Sequence, residues 1–488
     1  PIMGDIAAGP EDYSLVATLY AVVAIGMIAL QRRLVEQLGW RRLVQGAGLL
    51  FGVGAGVCGL SDSLAGFAAG RVVMALGCAS FMTAARMLVN HIPPSPRRFT
   101  GIKFLASGLA WGVAAGPLLA SWALASQNWR AAFFLMAVPA ALIVALAQWA
   151  PMDEVVQPRR DTPSHPAGLL AVMALMGGSF AVLHALQRSG FDFFAEPLRL
   201  IGWAALALPV LWLFTRLNRH DGAGLIGFAS LAQRRYLVGM GIFATVYVVL
   251  GANNTMVPVL LQRALGLPLE VVGRYLGCGA LAGVATWIVL ARLVPRRPAP
   301  TPYYLAGFGA LLLGGWQLSH LSEGADPFLS VLPALLCNGV FVIAILPVTA
   351  MQIFQKLQHD EATFSHANQV KNMLSQFGIA AGMALATLLM QWRSNLHYTR
   401  LAESLSPSNL ALGPAMEQLT QWFASTQGAA AAPRMALAQV AAWVTQEATL
   451  MGALDYFVAL SWFAACCLGL VMLEAGWRRL AARQAAIH

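Results

Sequence analysis

Charge is what this sequence has least of: Asp, Glu, Lys and Arg make up 11% of its 488 residues, where a soluble domain carries about 25%. With 58% hydrophobic residues and a mean hydropathy of +0.65, water is excluded as the solvent for most of the surface. Strict polar/apolar alternation is lacking too. A membrane β-barrel needs it over about 10 residues per strand, and unbroken apolar runs such as Phe457 to Leu473 leave helices as the spanning element. The six cysteines, Cys58, Cys78, Cys278, Cys337, Cys466 and Cys467, all fall in apolar segments. They have neither zinc-site nor secreted-disulfide spacing, so free thiols are expected, with no metal and no cofactor. A Gly-rich phosphate loop ending in Lys-Ser/Thr is missing, which removes a common ATPase signature. The net charge of +10 does not point to nucleic acid, because Lys and Arg sit in short loops rather than along one face.

What is present is a series of apolar windows. A bilayer core of roughly 30 Å needs about 20 mainly apolar residues per helix, and thirteen windows serve: about 13–30, 43–60, 64–90, 101–125, 131–150, 167–186, 197–214, 236–261, 272–294, 303–320, 328–352, 368–391 and 450–473. With the loop 31–42 in the cytoplasm, alternation puts 21 of the 31 Lys and Arg residues inside, counting Lys103, Arg292 and Lys371 at inner span ends. Eight face outward, and Arg71 and Arg86 lie within a span. The positive-inside rule supports this register and places the C-terminus inside. Thirteen spans then put Pro1 outside, so the expectation is an upstream first helix, fourteen in all, with residues 1–10 as the outer end of helix 1.

The expected fold is an all-α polytopic membrane protein. Residues 1–150 form an N-terminal bundle, 151–166 a cytoplasmic connector, 167–215 two additional helices, 236–474 a C-terminal bundle and 475–488 a cytoplasmic tail. The second bundle carries a long outer segment, 392–449, in which Met416 to Phe423 and Met435 to Val444 have helical apolar spacing. They read as surface helices or as parts of a packed loop.

Several local patterns have an order that matters. Gly112-Val-Ala-Ala-Gly116-Pro117 precedes Asn128-Trp129-Arg130-Ala-Ala-Phe133-Phe134 and Pro139. Gly108, Gly112 and Gly116, four apart, are expected to allow close helix approach, and Pro117 to permit a kink. Gly70-Arg71-Val-Val-Met-Ala-Leu-Gly77, Pro258 to Gly266, Asn368 to Asn372 and Gly378 to Gly382 follow in turn. Together they resemble the major facilitator superfamily, and specifically its fourteen-helix drug:proton antiporter branch, the EmrB/QacA type. The loop Arg32 to Arg42 resembles the superfamily's cytoplasmic motif in degenerate form, with Glu36 where that motif has Asp.

The resemblance implies two six-helix halves plus two extra helices, rocking about a mid-membrane site, and an exporter in a bacterial inner membrane. Its substrate would be a small hydrophobic or amphipathic compound, a drug or an endogenous metabolite, exchanged for protons. It also implies membrane lipids as surroundings, and a periplasmic adaptor and outer-membrane channel as partners for the long outer segment. Arg71, Glu36, Asp5, Gly112, Gly116 and Pro117 are the coupling and conformational candidates, and Arg86 is expected to be an anchor near the cytoplasm. Polar groups inside spans normally face the bundle interior, so Tyr20, Asn253, Asn254, Asn338, Asn372 and Gln376 are candidates for the substrate cavity. Each can equally make a helix-to-helix hydrogen bond. Central carboxylates are scarce: Asp5, Asp62 and Asp455 all lie near outer span ends. Two other readings stay open. One is a membrane-embedded enzyme acting on lipids, with His359, Asp360, Glu361 and His366 as the clustered groups; the other is an importer of the same superfamily.

Overall fold

The computed structural model describes the chain apart from residues 1, 94, 150–165, 221–224, 323, 356, 358–359, 406–411 and 486–488. Nearly all of the connector expected at 151–166 therefore lies outside the described residues, as does the end of the tail. Among the described residues the regular structure is helical throughout. The elements are α1 (Ile2–Asp5), α2 (Pro10–Leu60), α3 (Leu64–His91), α4 (Pro96–Ala125), α5 (Trp129–Trp149), α6 (Pro166–Asp192), α7 (Pro197–His220), α8 (Phe228–Leu231), α9 (Arg234–Val259), α10 (Leu269–Leu293), α11 (Thr301–Leu318), α12 (Leu332–Phe354), α13 (Glu361–Ser404), α14 (Leu412–Gln427) and α15 (Ala432–Ala485). In a bilayer interior every backbone polar group must be paired within the protein, which the helix achieves by itself. Eleven of the described helices are long and apolar enough to cross a membrane. One of them, α2, is broken between two apolar runs, and the shorter α11, outside that count, packs between α12 and α15, so each of the thirteen windows read from hydropathy falls on a helix.

The two spans of α2 part at Gly39, whose φ of 76° and ψ of 165° break an otherwise helical run. That backbone region is essentially reserved for glycine. Although a Cβ at Gly39 would meet nothing within 4 Å, Gly39→Ala is expected to cost about 1–3 kcal/mol from backbone strain alone, read as a lower melting temperature in detergent.

The first span of α2 packs on α6, and the second on α3 and α5. The C-terminal half is built on α9, α10, α11, α12, α13 and α15. Small residues let these helices approach closely. A Cβ on Gly251 of α9 would fall 2.1 Å from the Ile379 carbonyl oxygen, and one on Gly382 of α13 would fall 1.9 Å from that of Val248. The additional pair is joined by the Gly178–Leu211 contact, and α6 touches both α2 and α13, so it bears on both halves.

The glycine stripe on α4 does not do what its spacing predicted. A Cβ on Gly108, Gly112 or Gly116 would meet nothing within 4 Å. At 3.6 residues per turn the face that meets α10 is instead the one carrying Ala110, Ala114, Leu118 and Ser121, with Gly273 and Gly277 of α10 supplying the small residues.

Beyond the outer ends of their spans, α13 and α15 run on. At about 1.5 Å per residue their 44 and 54 residues exceed the ~40–45 Å of a whole bilayer. Met416 to Phe423 lies in α14, which packs on α15 through Phe423, Ala432 and Ala436. Met435 to Val444 forms the first turns of α15 rather than a separate surface helix.

Candidate functional site

The N-terminal and C-terminal halves meet in two places: along α4 and α10, from the Trp287–Ser107 hydrogen bond at 2.9 Å to that of Ser121 with the Glu270 carbonyl at 2.5 Å, and at the end that the positive-inside rule makes cytoplasmic. An apolar cluster there takes Val35, Trp40 and Leu43 from α2, Ala84 and Met87 from α3, Phe243 from α9, Phe354 from α12, and Phe364 and Ala367 from α13. Polar bonds cross the same seam. The Arg32 guanidinium donates to His366 Nε2 at 3.1 Å. Because arginine has no acceptor, His366 must take this bond as a neutral ring, leaving its Nδ1–H to donate to Gln369 Oε1 at 3.2 Å. Gln369 Nε2 then donates to the carbonyls of Ile28 and Ala29 at 2.9 and 3.3 Å, closing the loop back onto α2. Asn372 Nδ2 donates to Thr83 Oγ1 of α3 at 3.1 Å. The inner side is sealed by apolar packing with a few satisfied polar bonds through it.

Glu36 stands one turn below Arg32 and holds it at 3.1 Å. It thus bears on the seam through Arg32, and by orienting the guanidinium rather than by reaching the other half itself. Of the four groups named for the enzyme reading, the two whose side chains are described are engaged elsewhere. His359 lies outside the described residues, and His366 is bound into the seam. Asp360 caps α13, accepting from Ala362 N–H at 3.1 Å and from the Thr363 hydroxyl, and the Thr363 bond above all holds its carboxyl below the usual range.

The other candidates divide into separate places. Arg71 lies 4.2 Å from the centre of the Tyr20 ring, a cation–π contact, and the Tyr20 hydroxyl shares a 2.7 Å hydrogen bond with Cys78 Sγ. This group sits in the outer part of the N-terminal half. Asp5 accepts from the Trp129 indole at 2.7 Å, pinning α1 to the start of α5. Asn253 is buried and forms a chain within the C-terminal half: Tyr456 O–H donates to its Oδ1 at 2.6 Å, and its Nδ2 donates to Asn338 Oδ1 at 2.8 Å. These two asparagines are engaged with α15 and with each other, across helices. Asn254 is exposed and Gln376 half-buried. Of the six cavity candidates, Asn372 is the one with a hydrogen bond to the other half among the described residues. Asp455 accepts from Arg393 and His397 at 2.6 Å, so this acid is matched by the Arg393 guanidinium.

Two cations complete the inner seal. Lys371 is 6% exposed, with its ammonium 5.9 Å from the centre of the Phe243 ring. The guanidinium of half-buried Arg86 lies 4.0 Å from the centre of the Phe354 ring and 5.9 Å from that of Phe364. Arg86 is therefore no lipid-side anchor: its aromatic partners belong to the other half. The signal that pointed here was a charged residue inside an apolar span, which for Lys371 reads equally well as topology.

Two helical halves, meeting along α4 and α10 and at the cytoplasmic seam, are the architecture of a multi-pass transporter. The family model of the Major Facilitator Superfamily matches residues 1–386, and the chain belongs to that superfamily. It is 22% identical over 466 residues to the multidrug export protein EmrB of Haemophilus influenzae, covering 93% of this chain and 87% of that one. It is 21% identical to the fatty acid resistance protein FarB of Neisseria gonorrhoeae, covering 94% and 87%. Among solved structures the nucleoside transporter NupG superposes with a TM-score of 0.53 at 9% identity, covering 96% of this chain and 93% of that one. The human organic anion transporter MFSD10 does so with 0.51 at 15%, covering 93% and 83%. At these identities the structural likeness speaks for the fold alone.

Proposed function

We propose that this protein is a secondary exporter of small hydrophobic or amphipathic compounds in a bacterial inner membrane, working by alternating access with proton antiport. The observation that carries this reading is the inner seam. At this end the two halves are held by apolar packing and by a handful of bonds, Arg32–His366, Gln369–Ile28 and Asn372–Thr83, that can break together without unfolding either half, while α4 and α10 stay packed as the pivot. Relatives named for multidrug export and fatty acid resistance support the outward direction. One charge crossing 100 mV releases about 2.3 kcal/mol, close to a fifty-fold gradient at about 1.4 kcal/mol per factor of ten. The outer extension of α13, α14 and α15 is the surface we assign to a periplasmic adaptor leading to an outer-membrane channel.

Arg71 is the coupling residue in this reading, since an arginine in a span costs about 2.5–3.5 kcal/mol or more and here rests on the Tyr20 ring. Reconstituted protein, given a pH gradient and a fluorescent amphiphile, is expected to move the probe only while the gradient lasts. Arg71→Ala should lower that rate at least tenfold with the melting temperature within a few degrees of wild type. Gradient-independent movement, or an Arg71→Ala variant as fast as wild type, would overturn proton coupling through this residue.

A further inference from the structure

The charges lining the interior are of one sign. Arg71, Arg86 and Lys371 lie along the spans, whereas the described acids stand toward span ends, among them Asp5, Glu11, Asp192, Glu270 and Asp455 outside and Glu36 and Asp360 inside. Several of these are already matched, Asp192 by Arg188, Asp455 by Arg393 and Glu36 by Arg32. Among the described residues neither Arg86 nor Lys371 has a hydrogen bond or an ion pair, and both rest on aromatic rings. They belong to opposite halves, Arg86 to α3 and Lys371 to α13, and the rings they rest on, Phe354, Phe364 and Phe243, are packed in one cluster. Phe243 and Tyr247 of α9, Phe354 of α12 and Phe364 of α13 share their apolar cluster, and Tyr236 and Tyr247 are its tyrosines.

Burying two like charges against one seam is unfavourable unless something of opposite sign joins them at some point in the cycle. When the seam parts, Arg86 leaves Phe354 and Phe364 and loses its aromatic faces, while Lys371 stays with Phe243 on the other wall. A group that can then satisfy both must be negative and small enough to enter between the walls, and its remainder must suit the apolar residues around them. We propose that Arg86 and Lys371 form a two-cation cradle for the anionic head of an amphipathic substrate, so that the transporter handles organic carboxylates in preference to organic cations. This inference rests on the transporter reading above and narrows its substrate class. It also fits the energetics of export, because a membrane potential negative inside drives a monoanion outward. An organic cation would meet three like charges and no central carboxylate among the described residues.

The test uses three probes that share a naphthalene ring and differ in the head: 2-naphthoate, 2-naphthylmethanol and 2-naphthylmethyltrimethylammonium. Calorimetric titration of the full chain in detergent is expected to give naphthoate at least tenfold tighter binding than either of the others. Lys371→Gln and Arg86→Gln should each weaken it at least tenfold. Lys371→Arg and Arg86→Lys, which keep the charge, should stay within about threefold. Should a Gln variant fail to fold, the head-group preference of the wild type still decides. Equal or tighter binding of the ammonium probe, no binding of naphthoate, or Gln variants that bind it like wild type would each overturn the cradle. Gradient-driven uptake of the same probes into proteoliposomes separates the two levels. Movement of the ammonium probe without naphthoate leaves the exporter reading intact and sinks the anion preference, while bound naphthoate that never moves in any gradient sinks export and spares the cradle.

Discussion

Replacing Gly382 with valine is expected to lower the melting temperature of the purified protein sharply and to remove transport. Gly382 faces α9 so closely that even a methyl group would sit 1.9 Å from the Val248 carbonyl oxygen and 2.8 Å from the Ala252 nitrogen. Those atoms are backbone and cannot swing aside. Gly251 on the facing helix is as tightly placed, 2.1 Å from the Ile379 carbonyl oxygen, so neither helix has a softer face to turn toward the other. Separating α9 from α13 would loosen the contacts that Phe243, Ala367 and Lys371 depend on at the inner seam. Overpacking commonly costs about 1–3 kcal/mol, and a backbone-to-backbone clash belongs at or above the upper end. Gly241→Ala on the same α9 is the matched control. Its added methyl meets nothing within 4 Å, and alanine is favoured over glycine in a helix by about 1 kcal/mol, so that variant should melt higher. Loss of stability in both variants, or in neither, would show that the crossing is not held by these glycines.

Cross-linking the seam should stop the cycle as completely as Gly382→Val, and reversibly. Thr83 and Asn372 touch across the halves at 3.1 Å, and the inner side cannot open to load substrate without separating them. With Thr83→Cys and Asn372→Cys in a background freed of the six native cysteines, a short bifunctional thiol reagent is expected to reduce transport at least tenfold. Reductant should restore it when the linker itself contains a disulfide. Either single cysteine, treated alike, should keep most of its activity. Transport that continues through a quantitatively cross-linked seam would mean that this contact does not part during turnover.

Much of the fold is legible in the sequence because a bilayer imposes a simple rule, about 20 apolar residues per crossing. Windows such as 64–90 and 197–214 are met by α3 and α7, and Gly39 in the short basic loop marks the break between the two spans of α2. The arrangement of faces was much less legible. Gly108, Gly112 and Gly116 have the spacing of a packing stripe and look onto open space, while Gly251 and Gly382, far apart in sequence, make the tightest backbone-to-backbone approach among the described residues. Lipid tails are as apolar as leucine, so hydropathy cannot tell the face turned to a neighbouring helix from the face turned outward. For the same reason Asn253, Asn338 and Asn372 look alike in the sequence, although the first two join helices of one half and the third joins the halves. Lys371 shows the limit most plainly: at a span end its charge sets topology by one rule and marks a functional interior by another, and the sequence does not show that it is buried against Phe243 at the seam between the halves.

The unbroken length of α13 has a mechanical consequence. It holds Lys371, Gln369 and Asn372 at the inner seam and carries Arg393 and His397 toward the outer surface, with no proline between them to act as a joint. A rod of that kind passes displacement from one tip to the other instead of absorbing it. Anything that grips its outer tip is a brake on a door at the opposite face, which makes the external extension a handle by which the transporter can be stopped without a ligand ever entering the membrane.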